Sequence, residues 1–319
     1  MVAEKLAQIT AITFATEAVT WLTSAMADIG GADIRLEAAI AKLFATEANW
    51  WVMDQALQIR GGRGYESATS LAKRGEKPIP IERLMRDIRI NRIIEGSSEI
   101  MKLFIAREAM DSHFRLAMPL MDSRTSMSDK VKAGLKAAGH YALWYPKQWL
   151  PRFGVGDAQY LDSTNRRHLG YVANSGKRLA RAIFHAMGRH QQKLEKKQLI
   201  MSRLVDIGTD LFAMSSALSY AERLAHENRD DYSPLDLADL FCRMAKDRIE
   251  ANFKALGQNY DREINRVNRL LAMGEYTWLE KGIVNDLPAP NLTASEHAFM
   301  PPVEKATQPE TPNRNQVEH

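Results

Sequence analysis

Apolar residues recur every three or four positions along most of this chain, and paired glycines divide the pattern into long segments. In the first segment the apolar positions are Leu6, Ile9, Ile12, Val19, Leu22, Met26 and Ile29. Gly30-Gly31 ends that segment, and Gly61-Gly62 ends a second one that begins near Ile34. The spacing predicts amphipathic helices, and glycine is typical of helix C-termini. Two long helices joined by a short turn pack antiparallel, so the sequence predicts a helical bundle.

The rest of the chain keeps the helical period, which predicts an all-α fold in two regions. We expect a helical bundle over residues 1–118 and an additional C-terminal helical domain over residues 127–285. Serine, glycine and proline between 65 and 81 predict an irregular exposed loop, and 144–151 is expected to be an aromatic-rich corner. The composition of 286–319, rich in Pro, Thr, Asn, Glu and Gln, predicts a disordered tail.

Composition argues against several classes of protein. Apolar residues make up 45% of the 319 residues and charged residues 26%, as in a soluble globular protein. No apolar run approaches the ~20 residues that a membrane span needs. The single Cys242 excludes an intramolecular disulfide, and no histidine follows a glutamate at di-metal spacing, so we expect no metal site. The net charge of +4 does not indicate nucleic-acid binding, and a reducing cytoplasm is the expected location.

One carboxylate lies where a catalytic base would be useful. Glu95 stands directly before Gly96-Ser97-Ser98, at the predicted start of a helix whose free N–H groups can hold an anion. Ile93 and Ile94 precede it, and we expect them to bury it partly, which would make it a stronger base. The helix N-terminus acts in the opposite direction, since it favours the anion. On spacing alone, the favoured interpretation is that Glu95 merely precedes a helix start and has no chemical role.

Two further features have both a structural and a functional interpretation. The cluster Gly61-Gly62-Arg63-Gly64 resembles a phosphate cradle in composition, but it follows a helix rather than a strand, so a helix C-cap explains it as well. A group of basic residues is either a solvated helix face or a patch for anionic lipid or an acidic partner. These residues are Arg166, Arg167, Lys177, Arg178, Arg181, Arg189, Lys193, Lys196 and Lys197.

Four short motifs follow one another in a specific order. The sequence QIRGGRGY ends a long helix at residues 58–65, and a connection then leads to Pro80, Glu82, Arg83, Arg86 and Asp87. The sequences IEGSSEI at 94–100 and IARE at 105–108 complete the set. Each motif alone is weak evidence. In this order and spacing, within a match that runs from about 6 to 113, they resemble the C-terminal half of the acyl-CoA dehydrogenases, the flavin-dependent family of fatty-acid β-oxidation.

The resemblance implies a role for each motif. In most of the family the glutamate that matches Glu95 is the base, which removes the α-proton of an acyl-CoA substrate while the β-hydrogen leaves as hydride to FAD. The positions that match Ser97 and Glu99 also lie against FAD. A segment that contacts the FAD of a neighbouring subunit matches Gln58, Ile59, Arg60, Gly61 and Gly62. The family is therefore expected to form a homo-oligomer, and its electrons pass to an electron-transferring flavoprotein.

Two departures from the family pattern carry further expectations. An extra loop at 67–77 and the helical region beyond 120 resemble the larger, very-long-chain members and their bacterial relatives. Their added domain is associated with membrane contact and dimeric assembly, so we expect peripheral contact at the inner face of the membrane. The N-terminal helical and middle β-domains of the family have no counterpart in this sequence. We therefore expect a fragment, a split gene product or a truncated reading frame.

Two alternatives to a dehydrogenase remain open at this point. The chain could be a non-catalytic helical assembly or interaction module that lacks its own flavin. It could also belong to an acyl-CoA oxidase-type flavoenzyme of the same fold, which passes electrons to oxygen. Oxygen access and acyl chain length both depend on parts of the fold that this sequence does not contain.

Overall fold

The computed structural model describes residues 1–121, 124–150 and 161–280. Within these ranges the chain forms α-helices and short 3₁₀ turns and contains no strand, which confirms the all-α prediction. None of the described helices is both long enough and apolar enough to cross a bilayer.

Two long helices form a hairpin at the start of the chain. Helix α1 spans Val2–Ile29 and α2 spans Arg35–Arg60. Leu6 is 51% exposed and Ile29 is 84% exposed, although both belong to the predicted apolar stripe. Three of the six buried residues of α1 are alanines, namely Ala11, Ala15 and Ala18, and the others are Ile12, Phe14 and Val19. The period therefore identified the helix, but its buried face includes alanines, whereas large apolar residues at both ends of the predicted stripe are exposed.

Short helices occupy much of the following connection. Helix α3 spans Gly62–Tyr65, α4 spans Ala68–Lys73 and α5 spans Ile81–Ile90. The irregular loop expected over 65–81 is therefore wrong at α4. Ser67 caps α4 by accepting a hydrogen bond from the Ser70 N–H at 3.3 Å. A helix of six residues is too short to show an apolar period, which is why composition alone indicated a loop.

The next two helices are longer than the sequence indicated. Helix α6 spans Ser98–Met121 and α7 spans Met127–Lys147. The corner expected over 144–151 is wrong at its start, because residues up to 147 form the last turn of α7. Pro146 lies in that last turn, where its missing N–H and its ring disturb only the helix end. Residues 151–160 lie outside the described ranges.

Three long helices follow, close to the lengths that the apolar period predicted. Helix α8 spans Ser163–His190, α9 spans Gln198–Glu227 and α10 spans Ser233–Ala255. A 3₁₀ turn, Gln191–Lys196, joins α8 to α9. Asp162 caps α8, since its side chain accepts hydrogen bonds from two N–H groups of the first turn.

One hydrophobic core joins the two halves of the sequence. It contains side chains of α1, α2, α9 and α10, among them Phe14, Val19, Phe44, Met214 and Phe241. A smaller cluster joins α2, α6 and α9 through Ile40, Leu43, Ile105, Met201 and Val205. These helices belong to a single compact unit, Met1–Asn259. Helices of both predicted regions share this unit, so the division into 1–118 and 127–285 stays a prediction.

A second compact unit begins at Tyr260. It contains α11, which spans Asp261–Ala272, and a 3₁₀ turn at Thr277–Glu280. Helix α11 has exposed apolar side chains at Ile264, Val267 and Leu271. The tail predicted over 286–319 lies outside the described residues.

Candidate functional site

Glu95 lies in the turn between α5 and α6, in a backbone conformation that L-residues rarely adopt. Its φ is 54°, and Gly96 follows at φ 95°. The left-handed conformation costs a residue with a side chain roughly 1–2 kcal/mol and persists only where the surroundings impose it. Two side chains of α2 impose it here.

Lys42 of α2 holds the centre of this turn. Its Nζ donates hydrogen bonds to the carbonyl oxygen of Ile94, at 3.5 Å, and to that of Gly96. These are the two neighbours of Glu95 in the chain. Because the ammonium binds the backbone on either side, it fixes the direction in which Glu95 leaves the turn.

Glu47 of α2 closes the base of the same turn. Its Oε1 accepts hydrogen bonds from Arg92 Nε, at 2.8 Å, and from the Ser98 hydroxyl. The Ser98 N–H also donates to the Arg92 carbonyl oxygen at 3.2 Å. The Arg92 guanidinium lies 5.9 Å from the centre of the Trp50 ring, within the range of a cation–π contact. Residues 92–98 are therefore anchored to α2 at both ends.

The Glu95 side chain is exposed, and apolar side chains around it are exposed as well. Ile93 and Ile94 are 52% and 47% exposed, and Ile100 and Phe104 on the first turns of α6 are 58% and 36% exposed. We call these four residues the apolar rim. The expectation that Ile93 and Ile94 bury Glu95 is wrong for this chain, because their side chains reach solvent with it. The carboxylate instead lies in an exposed segment that also carries exposed apolar side chains.

Ser97 and Glu99 lie beside Glu95 at the N-terminus of α6. Ser97 caps the helix, since its Oγ accepts from the Ile100 N–H at 3.4 Å and its carbonyl oxygen accepts from the Met101 N–H at 2.8 Å. Hydrogen bonds from its own backbone N–H and from Ser97 lower the pKa of Glu99. Three predicted site residues therefore meet at one helix terminus, where free N–H groups favour negative charge.

The glycine turn lies at the other end of the predicted site. Gln58, Ile59 and Arg60 form the last turn of α2, Gly61 follows at φ 57°, and Gly62 begins α3. A Cβ built at either glycine meets no atom within 4 Å, so the backbone is open to an incoming group. Arg60 Nε is buried and has no hydrogen-bond partner among the described residues. An open backbone beside an unsatisfied guanidinium N–H fits a polar or anionic group.

The two parts of the site lie at different positions along α2. Gln58 follows Glu47 by eleven residues, which is roughly 16 Å along a helix axis. Helix α5 packs against both α2 and α3 and ends shortly before the Glu95 turn, so it occupies the intervening stretch. The structure therefore brings Glu95, Ser97 and Glu99 together and keeps residues 58–62 apart from them.

Other reactive groups do not form a competing centre in the described ranges. No set of three or more His, Cys, Asp or Glu side chains is arranged there to hold a metal ion. Cys242 is fully buried, and burial raises the pKa of its thiol to about 12. Such a thiol is not a nucleophile at neutral pH. The candidate chemistry of the described residues therefore centres on Glu95.

Sequence reasoning missed Lys42 and Glu47. Both lie in a helix whose period indicated only packing. Each charged residue directly precedes a buried apolar one, Leu43 or Ala48, so it lies at the edge of the buried face of α2. A charge at that edge is within reach of a neighbouring element, and here that element is the Glu95 turn.

Comparison with known proteins agrees with these motifs. A family model described as acyl-CoA dehydrogenase, C-terminal domain, matches residues 1–110, and one described as ACAD9/ACADV, C-terminal domain, matches residues 167–273. The probable acyl-CoA dehydrogenase FadE10 of Mycobacterium tuberculosis is 46% identical over 291 residues, which are 89% of this chain and 44% of that protein. The human mitochondrial very long-chain specific acyl-CoA dehydrogenase is 31% identical over 265 residues, which are 80% of this chain and 37% of that protein.

A solved structure shows the same fold. The crystal structure of an acyl-CoA dehydrogenase complexed with FAD from Bacillus anthracis superposes with a TM-score of 0.57 at 24% identity, over 79% of this chain and 41% of that one. The chain thus spans less than half the length of the relatives it matches. The Glu95 turn and the glycine turn both lie in the first matched segment. The chain therefore belongs to the acyl-CoA dehydrogenase family and corresponds to the C-terminal helical part of its very-long-chain-like members.

Proposed function

We propose that this chain supplies the catalytic base and part of the flavin site for α,β-dehydrogenation of fatty acyl-CoA thioesters. The observation that carries the proposal is the braced turn, in which Lys42 and Glu47 hold Glu95 in a left-handed conformation at the start of α6. The matched relatives, which are dehydrogenases by name, support it. Because the chain spans less than half of their length, the activity is proposed for this chain combined with the remaining parts of such an enzyme.

Glu95 acts as a general base in this proposal. The thioester carbonyl acidifies the α-proton, and the carboxylate removes it. Bound FAD would supply the hydride acceptor for the β-hydrogen and its electron pair. An acyl chain that covers both the Glu95 turn and the apolar rim would exclude water from the carboxylate and strengthen Glu95 as a base.

The residues of both turns fit a flavin nucleotide. The open backbone of Gly61 and Gly62 permits close approach of a phosphate or ring, and the unsatisfied Arg60 N–H is a donor for it. The Gly61 N–H itself already donates to the carbonyl oxygens of Leu57 and Gln58. The Ser97 hydroxyl is a further donor or acceptor. The anionic Glu99 does not suit a phosphate, but it can accept hydrogen bonds from the hydroxyl groups of the sugar chain.

The family resemblance implies a homo-oligomer in which residues 58–62 contact the flavin of a neighbouring subunit, and we adopt that arrangement. The separation of the glycine turn from the Glu95 turn by α5 is consistent with it. Each site would then combine Glu95 of one subunit with the glycine turn of another. Electrons would leave the flavin for an electron-transferring flavoprotein.

Reconstitution tests this proposal. The chain is co-expressed with the upstream part of FadE10 that it does not match, and the complex is purified with FAD. We expect a yellow complex whose flavin is bleached by acyl-CoA and reoxidised by an electron-transferring flavoprotein. Release of peroxide on turnover would instead identify an oxidase. A folded, colourless complex that acyl-CoA leaves unchanged would identify a non-catalytic assembly module and overturn the proposal.

Helix α7 supports a second, non-catalytic role in peripheral membrane contact. Its exposed apolar residues recur at positions 127, 131, 135 and 143, and lysines at 130, 132 and 136 supply positive charge for anionic head groups. The basic group on α8 is a weaker candidate, because Arg178 binds Glu250 at 2.7 Å and Lys177 binds the Leu150 carbonyl oxygen at 2.8 Å.

Vesicle flotation tests this membrane contact. We expect the chain to float with vesicles that contain anionic lipid, and less so with purely zwitterionic ones. Replacing both Leu135 and Leu143 with Asp should abolish flotation. Leu6→Asp, at an exposed apolar position of α1, is the matched control and should leave it unchanged. Equal flotation of the α7 variant would overturn this role.

A further inference from the structure

An apolar cavity of about 280 Å³ lies between α2, α6, α8 and α9, apart from the Glu95 turn. Its walls are almost entirely aliphatic or aromatic and include Ile40, Met110, Ile183, Met201 and Phe212. A buried apolar cavity of ~150 Å³ is known to hold benzene, so this one has the volume for roughly ten non-hydrogen atoms. Helices α2 and α6 come from the first matched segment and α9 from the second, so a ligand here would join them.

Glu37 places a carboxylate in the otherwise apolar wall of this cavity. It is the one ionisable side chain among the described residues of the wall, and its Oε2 is buried with no hydrogen-bond partner in the described part of the chain. An unsatisfied buried acceptor costs about 1–3 kcal/mol, and more when charged, so folded proteins keep few of them. The Glu37 carboxylate therefore places an acceptor for a ligand's donor at the wall of the cavity.

The surface beside the cavity determines the charge of that donor. An adjoining depression carries three carboxylates and two guanidiniums, from Asp33, Glu108, Asp111, Arg35 and Arg115. Arg35 binds Asp33 at 2.7 Å and Glu108 at 3.4 Å, and Arg115 binds Asp111 at 2.6 Å. Both cations are thus engaged, and one negative charge is in excess before Glu37 is counted. This field repels an anionic head group and attracts a cationic one.

We propose that the cavity binds an amphiphile with a medium-length apolar chain and one cationic, hydrogen-bond-donating head, of which a primary alkylamine is the simplest case. The chain lies against the walls, and the ammonium donates to the Glu37 carboxylate. The proposed site uses neither Glu95 nor a flavin, so it goes beyond the dehydrogenase function. Because its walls come from four helices, ligand binding should also raise the melting temperature of the chain.

Calorimetric titration of the full 319-residue chain with n-decylamine tests the proposal. We expect saturable binding of one molecule per chain. Decanoate and 1-decanol have the same chain length, and we expect decanoate not to bind and decanol to bind about tenfold more weakly, a difference of about 1.4 kcal/mol. If decanol or decanoate binds as tightly as decylamine, the proposal that the site selects a cationic head group is wrong.

Variants separate this site from general adhesion to apolar surface. Glu37→Gln should lower decylamine affinity about tenfold and leave decanol affinity unchanged, because only the charged contact is lost. Ala109→Phe, at an exposed wall position, should block both ligands while circular dichroism shows an intact fold. Leu6→Asp is the control on a distant exposed surface and should change neither affinity. Undiminished decylamine binding by either cavity variant, or no saturable binding by the native chain, would overturn the site.

Discussion

The carboxylate of Glu47 binds Arg92 Nε at 2.8 Å and so joins α2 to the first residue of the turn that carries Glu95. The side chains are 38% and 24% exposed, so solvent screens part of the interaction. We expect Glu47→Ala to lower the free energy of unfolding by about 1–2 kcal/mol, since the variant leaves the guanidinium and the Ser98 hydroxyl without their acceptor. Urea unfolding followed by circular dichroism measures the change.

The matched control for Glu47 is an exposed ion pair on one helix. Glu227 binds Arg223 at 2.5 Å, with both side chains more than half exposed. Glu227→Ala should change the free energy of unfolding by less than about 0.5 kcal/mol. Equal effects of the two variants would show that Glu47 does not brace the turn.

Gly96 should tolerate no side chain without cost. Its φ is 95°, and a Cβ there would meet Met101 Sδ at 2.7 Å. The thioether can move, so most of the cost of Gly96→Ala comes from the backbone, and we expect about 1–2 kcal/mol of destabilisation in thermal unfolding. Gly176→Ala is the control, because that Cβ enters open space in α8 and should be neutral or slightly stabilising. A Gly96 variant as stable as the control would contradict the left-handed turn.

His113 should make stability depend on pH. Burial, with a smaller contribution from His140, lowers the pKa of His113 below its ordinary value of 6.5. The unfolded chain then binds a proton at His113 more readily than the folded chain does. The contribution of the neutral, buried His113 to folding stability is therefore complete above pH 6.5 and is lost as the pH falls below that value. We expect the native chain to lose more stability between pH 7.5 and pH 5.5 than His113→Asn does, in urea unfolding at both pH values. An equal loss would show that His113 is not the group responsible.

Mixing two inactive variants tests whether each active site combines residues of two chains. Glu95→Gln and Gly62→Val should each inactivate the reconstituted complex, the second by filling the open glycine backbone. In mixed dimers one of the two sites would combine a native Glu95 with a native glycine turn. Random mixing should therefore restore about a quarter of the native activity. No recovery would place both residues in the same site of one chain.

The helices were predictable from sequence because their signal is local. The apolar period of α1 and the glycines that end α1 and α2 lie within the segments they describe. Helix α4 was missed because six residues show no period, and its capping by Ser67 was the only local signal. Fold class thus follows from pattern, whereas short elements depend on capping.

The candidate site was predictable only in part. The position of Glu95 before a helix follows from local sequence, but its exposure does not, since it depends on which elements cover Ile93 and Ile94. The contacts of Lys42 and Glu47 with the turn join residues about fifty positions apart in the chain. The cavity around Glu37 arises from the packing of four helices, and no single segment indicates it.

Dye reduction by the reconstituted complex tests the central claim, that Glu95 is the base. The native complex and its Glu95→Gln variant are compared at equal FAD content, with Glu227→Gln as a control for loss of an exposed carboxylate. A general base contributes roughly 10²–10⁴-fold to the rate, so the account predicts a loss of at least that order for Glu95→Gln and no change for the control. A Glu95→Gln complex that binds FAD and reduces dye within tenfold of the native rate would contradict it.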